Sequence, residues 1–330
     1  MSDKNVIFII GCGQLGSRHL QAVSSLVNVS EIHVFDSFPE SLELGKKRIL
    51  EINDLNPKIE FHWHQSFQEG PKSADLCILA TQAPGRLELV RKISRHFNIS
   101  NYLLEKVVTQ NVADYESLIE LQNEKNFQCW VNCKTRTYQV HRSIKAKLEP
   151  NSPIKFSRIS GNHGLGTNGV HGVDLFQFYT NEQNIYSVGN RIDQKTYTSK
   201  RGGGLVDLTG TLFGATPRGD DFILSMAPDH TIGDYVSIHS SVGRFIIDDQ
   251  YGNLIENSER TNWENKIFPI EENIAVSQLS KYFANDILQN GVCNLPTLKE
   301  CFISHKFIFD SLLPHFKNLH DEKLDYCPVT

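Results

Sequence analysis

The chain has 330 residues, of which 39% are hydrophobic and 22% are charged, and its formal net charge is −5. This length allows two domains with buried cores, and an acidic chain without a basic block is a poor partner for nucleic acid. The first apolar run, residues 6–10, is too short to span a membrane or to form the core of a signal peptide. We therefore expect neither a nucleic-acid partner nor a membrane partner.

The cysteines predict packing residues rather than crosslinks or metal ligands. Their number, seven, is odd, and their spacings suggest no disulfide framework. Cys129 and Cys133 lie four residues apart, but no second pair and no nearby His-x-x-His sequence completes a zinc site. We therefore expect no metal ion, and reduced thiols of the kind found in cytoplasmic proteins.

Strand and helix patterns alternate through residues 1–128, which we take as the first domain. Strands are predicted over residues 5–10, 31–36, 58–64, 74–81, 101–106 and 127–133. Helices are predicted over residues 17–26, 41–53, 85–97 and 111–125. The run "NVIFII" is continuously apolar, as buried parallel strands are. The repeated βα order predicts an α/β fold with a doubly wound, mostly parallel Rossmann sheet.

Residues 129–330 predict a second, α+β domain for substrate binding and oligomerisation. Helices are predicted over residues 140–148, 168–180, 276–289 and 298–316. Strands are predicted over residues 154–161, 185–190, 204–214, 220–228, 234–241 and within 243–256. Gly-Asn at 189–190 and Tyr-Gly-Asn at 251–253 are hairpin signals, so we expect a large, open, mostly antiparallel sheet.

Three glycines follow the first strand. Gly11, Gly13 and Gly16 form the pattern G-x-G-x-x-G, which encloses Gln14 and Leu15. The first glycine permits a tight turn, the second lets main-chain N–H groups approach a pyrophosphate, and the third lets the helix pack on the strand. The pattern predicts that these five residues bind a dinucleotide. A tight strand-to-helix turn without a ligand is the alternative.

Asp36 ends the second predicted strand. This position matches the acid that accepts a hydrogen bond from the 2′-hydroxyl of an adenosine ribose. A carboxylate there repels a 2′-phosphate, and no arginine follows directly in "DSFPESL", so NAD is favoured over NADP. A methyltransferase is the other nucleotide-binding class, but it usually has an acid just before the first glycine, where Ile9 and Ile10 stand here.

Six segments resemble the Gfo/Idh/MocA oxidoreductase family, which includes glucose–fructose oxidoreductase and inositol dehydrogenase. They are "GCGQLGSRH" at 11–19, "ADLCILATQAP" at 74–84, "LLEKVV" at 103–108, "GLGTNGVHGVDLF" at 164–176, "VSQLSKYFANDIL" at 276–288 and "LPTLKECFISH" at 295–305. The resemblance covers nearly the whole chain. It implies an N-terminal Rossmann domain, a C-terminal α/β domain with an open sheet, and NAD(P)-dependent chemistry. It also implies that the cofactor is bordered by Thr81, Ala83, Pro84, Glu105 and Lys106.

Two positions depart from that family. Many members have an aspartate four residues before the active-site histidine, and Thr167 stands there instead. Val107 replaces the proline of the family's Glu-Lys-Pro motif. These departures keep a second function open, namely a sensor or scaffold that binds NAD without catalysis.

Lys106, His171 and Asp174 are the predicted catalytic residues. Lys106 follows a parallel strand at its carboxyl end, where ligands bind in open α/β sheets, and a lysine there can hold the reacting oxygen and relay its proton. His171 lies near the start of a predicted helix with Thr167 or Asn168 as N-cap, which favours a neutral imidazole base. Asp174 shares its helical face and is expected to orient the ring or to contact a substrate hydroxyl. A surface lysine and a buried packing histidine are the alternatives.

The segment between the domains, together with the histidine helix, supplies the predicted substrate-binding residues. They are Asn132, Arg136, Tyr138, Asn168 and His171. Asn132 is expected to bind the nicotinamide carboxamide or a sugar hydroxyl, and Arg136 and Tyr138 an anionic or hydroxylated substrate. A polar linker without a binding role is the alternative. The sequence thus predicts a dehydrogenase for a sugar, sugar derivative or nucleotide-sugar, assembled as a homodimer or homotetramer through the open sheet.

Overall fold

The structure, a computed structural model, describes residues 5–199, 202–228, 233–272 and 275–330. The chain forms two compact units. The first unit contains the chain as far as Asn132, apart from residues 110–112, and a later segment that ends at Lys299. The second contains residues 110–112, the chain from Cys133 to Glu272, and the residues from Glu300 onward. The sequence-based boundaries group the later segment with the second domain, whereas here it belongs to the first unit.

The described residues form eighteen β-strands. The first eight are β1 Asn5–Ile10, β2 Val29–Phe35, β3 Glu60–His64, β4 Ser73–Ala74, β5 Leu76–Leu79, β6 Asn98–Ile99, β7 Asn101–Leu104 and β8 Gln128–Val131. The others are β9 Lys155–Gly161, β10 Tyr186–Ile192, β11 Tyr197–Thr198, β12 Val206–Asp207, β13 Gly210–Ala215, β14 Asp221–Ala227, β15 Tyr235–Ser240, β16 Gly243–Asp248, β17 Asn253–Ser258 and β18 Lys266–Pro269.

Eight α-helices lie in the same described residues. They are α1 Gly16–Val23, α2 Pro39–Ile49, α3 Arg86–His96, α4 Val112–Lys125, α5 Gln139–Lys145, α6 Leu165–Thr180, α7 Val276–Asn290 and α8 Leu298–Leu319. A 3₁₀ turn, Lys134–Thr137, precedes α5. Across this described part of the chain, no helix combines the length and the apolar character that a membrane crossing needs.

A six-stranded parallel sheet forms the centre of the first unit. Its strand order is β3-β2-β1-β5-β7-β8, and every neighbouring pair is parallel. The central strands β1 and β5 are almost entirely buried, which explains why their sequences are continuously apolar. The predicted doubly wound Rossmann sheet is therefore confirmed.

An eight-stranded sheet dominates the second unit, in the order β10-β13-β14-β9-β15-β16-β17-β18. All neighbours are antiparallel except β9 and β14. The predicted mostly antiparallel sheet is confirmed. Helix α6 packs closely on it, because Cβ atoms added at Gly169 and Gly172 would come within 3.3 Å and 2.7 Å of Leu224 in β14.

The two predicted hairpin signals have different outcomes. Residues 251–252 do form the turn between β16 and β17. The Gly-Asn pair at 189–190 does not form a turn, so that prediction is wrong. Gly189 lies inside β10, next to an irregularity in its pairing with β13. A glycine inside a strand commonly marks such a bulge, which is why the same dipeptide gave a misleading signal.

One face of the large sheet carries exposed apolar side chains. The exposed fractions are 52% for Ile159, 41% for Ile223, and 36% for both Phe213 and Tyr235. These residues alternate along β9, β14, β13 and β15 with buried ones, such as Phe156 and Leu224. The sheet therefore has one buried face and one solvent-facing face that includes large apolar groups.

Candidate active site

The glycine turn after β1 is shaped by close contacts. Gly11 has a φ of +83°, a conformation that suits glycine, and a Cβ at Gly16 would lie 1.7 Å from the carbonyl oxygen of Gly11. A Cβ at Gly13 would meet no atom of the described residues within 4 Å. The first and third glycines are thus needed for the turn itself. The second leaves open space beside the main chain.

Asp36 lies against this turn. Its Oδ2 accepts a hydrogen bond from the main-chain N–H of Cys12 at 2.7 Å, and its Oδ1 accepts one from that of Phe38 at 2.9 Å. The pairing of β1 with β2 places the acid here, because the two parallel strands end side by side. The carboxylate is half-buried and fixed beside the glycines, where the sequence analysis predicts the ribose.

Arg48 in α2 holds the turn from the other side, and the sequence analysis missed it. Its guanidinium donates 2.5 Å hydrogen bonds to the carbonyl oxygen and the side-chain oxygen of Gln14, and to Oγ of Ser17. The side chain of Gln14 is therefore engaged by Arg48 within the protein. Leu15 precedes the first residue of α1 and is half-buried.

Thr81 follows β5 and borders the glycine turn. A Cβ at Gly11 would lie 3.0 Å from Cγ2 of Thr81. The Oγ1 atom of Thr81 is buried and has no hydrogen-bond partner among the described residues. Ala83 is buried and Pro84 is exposed. The segment that the family resemblance places beside the cofactor therefore lies beside the glycine turn.

Glu105 is a buried carboxylate, with 3% of its surface exposed. Its Oε1 accepts hydrogen bonds from Nε2 of His19 at 2.8 Å and from Nδ2 of Asn132 at 2.5 Å. Burial by itself raises the pKa of Glu105, but these hydrogen bonds and the charges of His19 and Lys106 lower it to about 2. Glu105 is thus ionised. His19 is fixed in turn by a 2.8 Å hydrogen bond between its Nδ1 and Oγ of Ser280.

Lys106 follows Glu105 and is 8% exposed, and its peptide bond to Val107 is cis. The main chain around it is held by Arg86, whose side chain is 1% exposed. Arg86 donates hydrogen bonds to four main-chain carbonyls, those of Thr81, Glu105, Val107 and Val108. The turn that carries Lys106 is therefore fixed by one buried guanidinium, where the resembled family has a proline.

Asn132 directly follows β8 and is 4% exposed. Its Nδ2 donates to Glu105, as described above, and its main-chain N–H donates to the carbonyl of Leu104 at 2.8 Å. Its Oδ1 is buried and accepts no hydrogen bond from any described residue. Glu105 and Asn132 are therefore brought together, and the amide oxygen remains available to a hydrogen-bond donor.

Helix α6 begins earlier than the sequence predicts. Its first residue is Leu165 and its N-cap is Gly164, so neither Thr167 nor Asn168 caps it. His171 consequently lies in the second turn and is 9% exposed. The effect of the helix dipole falls off within the first turn, so it does not support the predicted neutral imidazole.

Asp207 supplies the capping group that the sequence analysis sought inside the helix. Its Oδ1 accepts from the N–H of Gly166 at 2.7 Å, and its Oδ2 accepts from that of Thr167 at 2.9 Å. A Cβ at Gly164 would lie 2.1 Å from Oδ2 of Asp207. The glycines at this helix start therefore make room for a carboxylate from β12.

Asp174 and Arg136 form a buried ion pair. Nε and Nη2 of Arg136 donate to Oδ2 and Oδ1 of Asp174 at 2.8 Å and 2.6 Å. Burial raises the pKa of Asp174 to about 7, against the lowering effect of the Arg136 charge. Both residues are predicted to contact the substrate, but in the structure they form an ion pair with each other. Arg136 therefore offers less charge to an anionic substrate than its sequence position suggests.

The remaining predicted substrate residues lie in the second unit. Tyr138 is 8% exposed, burial raises the pKa of its phenol, and Nζ of Lys134 lies 5.4 Å from its ring centre. Asn168 is half-buried on α6. The glycines at 202–204 lie between the short strands β11 and β12.

No protein-family model matches the chain, and no curated protein sequence is similar to it. Solved structures do match. An oxidoreductase from Agrobacterium radiobacter in complex with NAD+, L-tartaric acid and magnesium has a TM-score of 0.70 and 15% identity, covering 92% of this chain and 94% of its own. The WlbA dehydrogenase from Bordetella pertussis, in complex with NADH and UDP-GlcNAcA, has a TM-score of 0.65 and 13% identity, covering 99% and 100%.

A third match is the super-repressor mutant of Gal80p from Saccharomyces cerevisiae, with a TM-score of 0.69 and 13% identity, covering 94% of this chain and 95% of its own. At such identities the likeness shows the fold. The fold expected from the Gfo/Idh/MocA resemblance is thereby confirmed over nearly the whole chain. The structural neighbours include oxidoreductases and dehydrogenases whose structures contain NAD+ or NADH.

Proposed function

We propose that the chain is an NAD-dependent oxidoreductase that transfers hydride between the cofactor and a hydroxyl or carbonyl carbon of a sugar, sugar derivative or nucleotide-sugar. The observation that carries this proposal is the open space at Gly13, in the same turn in which the Asp36 carboxylate is fixed by the N–H of Cys12 and Thr81 lies against Gly11. The dehydrogenase neighbours support the same class.

We place the protein in the cytoplasm, because its seven free cysteines suit a reducing compartment.

The residues of the first unit fit a nicotinamide dinucleotide. The main chain at Gly13 is open to a pyrophosphate, and Asp36 lies where a ribose hydroxyl would donate to it. Oγ1 of Thr81 and Oδ1 of Asn132 are buried polar atoms that no described residue satisfies, and a bound cofactor or substrate offers partners for both. When bound, the cofactor supplies the hydride acceptor or donor.

Lys106 is the proposed proton-transfer residue. It is held rigidly, because the carbonyls before and after it are bound by Arg86. The neighbouring Glu105 carboxylate stays ionised, since its pKa is about 2, and it stabilises a protonated lysine. Lys106 then holds the reacting oxygen and gives or takes its proton. His171 is the second candidate, and the carboxylate of Asp174, three residues further along α6, is bound by Arg136.

We predict that the wild-type protein binds NADH more tightly than NADPH, and that Asp36→Asn narrows the difference. The carboxylate accepts a hydrogen bond from a ribose hydroxyl and repels a 2′-phosphate, whereas the amide keeps an acceptor for the N–H of Cys12. A hydrogen bond to a charged group contributes about 1.5–3 kcal/mol, so NADH affinity should fall about 10–100-fold. Calorimetric titration of both variants with both cofactors measures this. Tighter binding of NADPH by the wild type would overturn the assignment.

A sensor or scaffold that binds NAD without catalysis is the second candidate function. Thr167 and Val107, which replace an aspartate and a proline of the resembled family, favour it. The two functions share the cofactor site and differ in turnover. Binding of NADH without hydride transfer to any member of a sugar and nucleotide-sugar panel would favour the sensor.

We further propose that the exposed apolar face of the large sheet is an interface between copies of this chain. Its exposed residues Ile159, Ile223, Phe213 and Tyr235 lie on neighbouring strands, as a self-complementary patch requires. Sedimentation at micromolar concentration should show a dimer or tetramer. Ile159→Asp should dissociate it, while Val27→Asp, at an exposed apolar residue of the first unit, should not. A wild-type protein that sediments only as a monomer contradicts the proposal.

A further inference from the structure

Histidines and carboxylates form a ladder on one face of the edge strands β2 and β3. Residues at alternate positions of a strand share a face, which places Glu31 with His33 on β2, and His62 with His64 on β3. The register pairs His33 directly with His62, and Glu31 with Glu60. The structure thus gathers five imidazole or carboxylate side chains on one face of two neighbouring strands.

Three of these side chains converge on one point. Oε2 of Glu31 lies 3.0 Å from Nε2 of His33 and 3.9 Å from Nε2 of His62, and the three possible ligand atoms all lie within 4.8 Å of one another. The rings of His33 and His62 are stacked, with centres 4.4 Å apart and planes 13° apart, so they present their edges side by side. Metal–ligand bonds of about 2.1 Å at tetrahedral angles separate ligand atoms by about 3.4 Å, which falls between the two observed distances.

The charges around this point favour a cation. Glu31 and Glu60 face each other across the two strands, and like charges in that arrangement destabilise a sheet. Nε2 of His62 lies 3.9 Å from each of the two carboxylates. Two carboxylates beside two imidazole rings therefore form a site that would attract a cation.

His64 completes the arrangement behind His33. Its Nε2 lies 2.9 Å from Nδ1 of His33, and its own Nδ1 lies 3.7 Å from Oε2 of Glu69. A hydrogen bond from the second ring nitrogen is how metal-binding histidines are commonly oriented, because it fixes the tautomer with the other nitrogen's lone pair toward the metal. In the structure Nε2 of His33 donates to the carboxylate of Glu31, and Nδ1 accepts from Nε2 of His64. A metal ion bound here would take the place of the Nε2 proton, and His33 would then donate from Nδ1 to His64.

We propose that Glu31, His33 and His62 bind one divalent transition-metal ion of the Zn²⁺ class at the edge of the nucleotide-binding sheet, with His64 as the positioning residue. Two nitrogen ligands and one carboxylate suit such an ion. Glu31 and His62 are 41% and 39% exposed, so the ion can enter from solvent and keep water as a fourth ligand. The bound ion would join the short edge strand β3 to β2. This site is separate from the glycine turn and does not depend on the proposed oxidoreductase function.

The test uses the full-length, untagged protein after chelator treatment and dialysis, titrated with Zn²⁺ by calorimetry. We expect one equivalent to bind to the wild type. His64→Gln should weaken binding about 10–100-fold, as loss of an orienting partner does, and His62→Gln should weaken it more. His239→Gln, at an exposed histidine on β15, should bind as the wild type does. Thermal unfolding of each apo variant shows whether it is folded.

Two results would overturn the proposal. The first is a wild type that binds no Zn²⁺, or that binds it as tightly as His62→Gln does. The second is a Co²⁺ complex whose absorption shows thiolate-to-metal charge transfer, since that would place the metal at a cysteine rather than at these nitrogen and oxygen ligands. A Co²⁺ spectrum without such bands, lost in His62→Gln and kept in His239→Gln, supports it.

Discussion

Replacing Lys106 with alanine is expected to lower turnover about 10²–10⁴-fold, the usual contribution of a general acid or base, while NADH affinity stays nearly unchanged. Lys106 is buried beside the ionised Glu105, and Arg86 holds the main chain on both sides of it. The substitution therefore removes the proton-transfer group without disturbing the turn. Steady-state rates with a sugar that the wild type converts measure turnover, and calorimetric titration with NADH measures cofactor affinity separately.

The matched control is Lys58→Ala, at an exposed lysine before β3. It should keep the wild-type rate and affinity. If Lys106→Ala retains full turnover, Lys106 is not the proton-transfer residue. If it loses NADH binding and turnover together, Lys106 is a cofactor-binding residue, and the proposed division of roles is wrong.

Gly13→Ala and Gly16→Ala are expected to fail in different ways, although both alter the same motif. The Cβ added at Gly13 meets no described atom within 4 Å, so the protein should keep its thermal stability. The added methyl group should instead obstruct the pyrophosphate and lower NADH affinity at least about tenfold. The Cβ added at Gly16 would lie 1.7 Å from the carbonyl oxygen of Gly11. That overlap should lower the free energy of unfolding by about 3 kcal/mol or more.

Thermal unfolding and NADH titration of the two variants measure this contrast. A Gly13→Ala protein that is as stable as the wild type and binds NADH equally well would show that the open space at Gly13 is not a phosphate site. The glycine turn would then be structural, which is the alternative that the sequence analysis left open.

The elements of the first unit followed well from sequence because their signals are local. The apolar run before Gly11 and the acid at the end of the second strand are set by burial and by strand length, and both lie where they were expected. The glycine pattern is also local, since it reflects conformational freedom and close approach within a few residues. The mostly antiparallel sheet of the second unit followed from its many strand-like runs.

The residues that hold the site together could not be predicted, because their contacts are distant in sequence. Arg48 reaches back to the glycine turn, and Asp207 reaches the start of α6. Nothing within "VDLTG" indicates a helix cap, so the cap was sought at Thr167 and Asn168. For Arg86 the sequence does contain one indication, its position at the start of a helix. A cation there opposes the helix dipole, so burying it requires hydrogen-bond acceptors from elsewhere in the chain.

Side-chain pairing across strands is equally hidden from one sequence. The alternation in "HWH" shows that His62 and His64 share a face, but only the register of β3 on β2 shows that His33 and Glu31 face them. The same limitation applies to Asp174, whose helical spacing from His171 suggested a catalytic pair. Its partner is Arg136, from a 3₁₀ turn far along the chain.

Hydride transfer by this chain is measured by NADH oxidation with a panel of keto-sugars and nucleotide-keto-sugars, using wild type and Lys106→Ala side by side. We expect the wild type to reduce at least one substrate with stoichiometric loss of NADH, and the variant to reduce none. Binding of NADH without its oxidation by any member of the panel, or equal rates in both proteins, would contradict it.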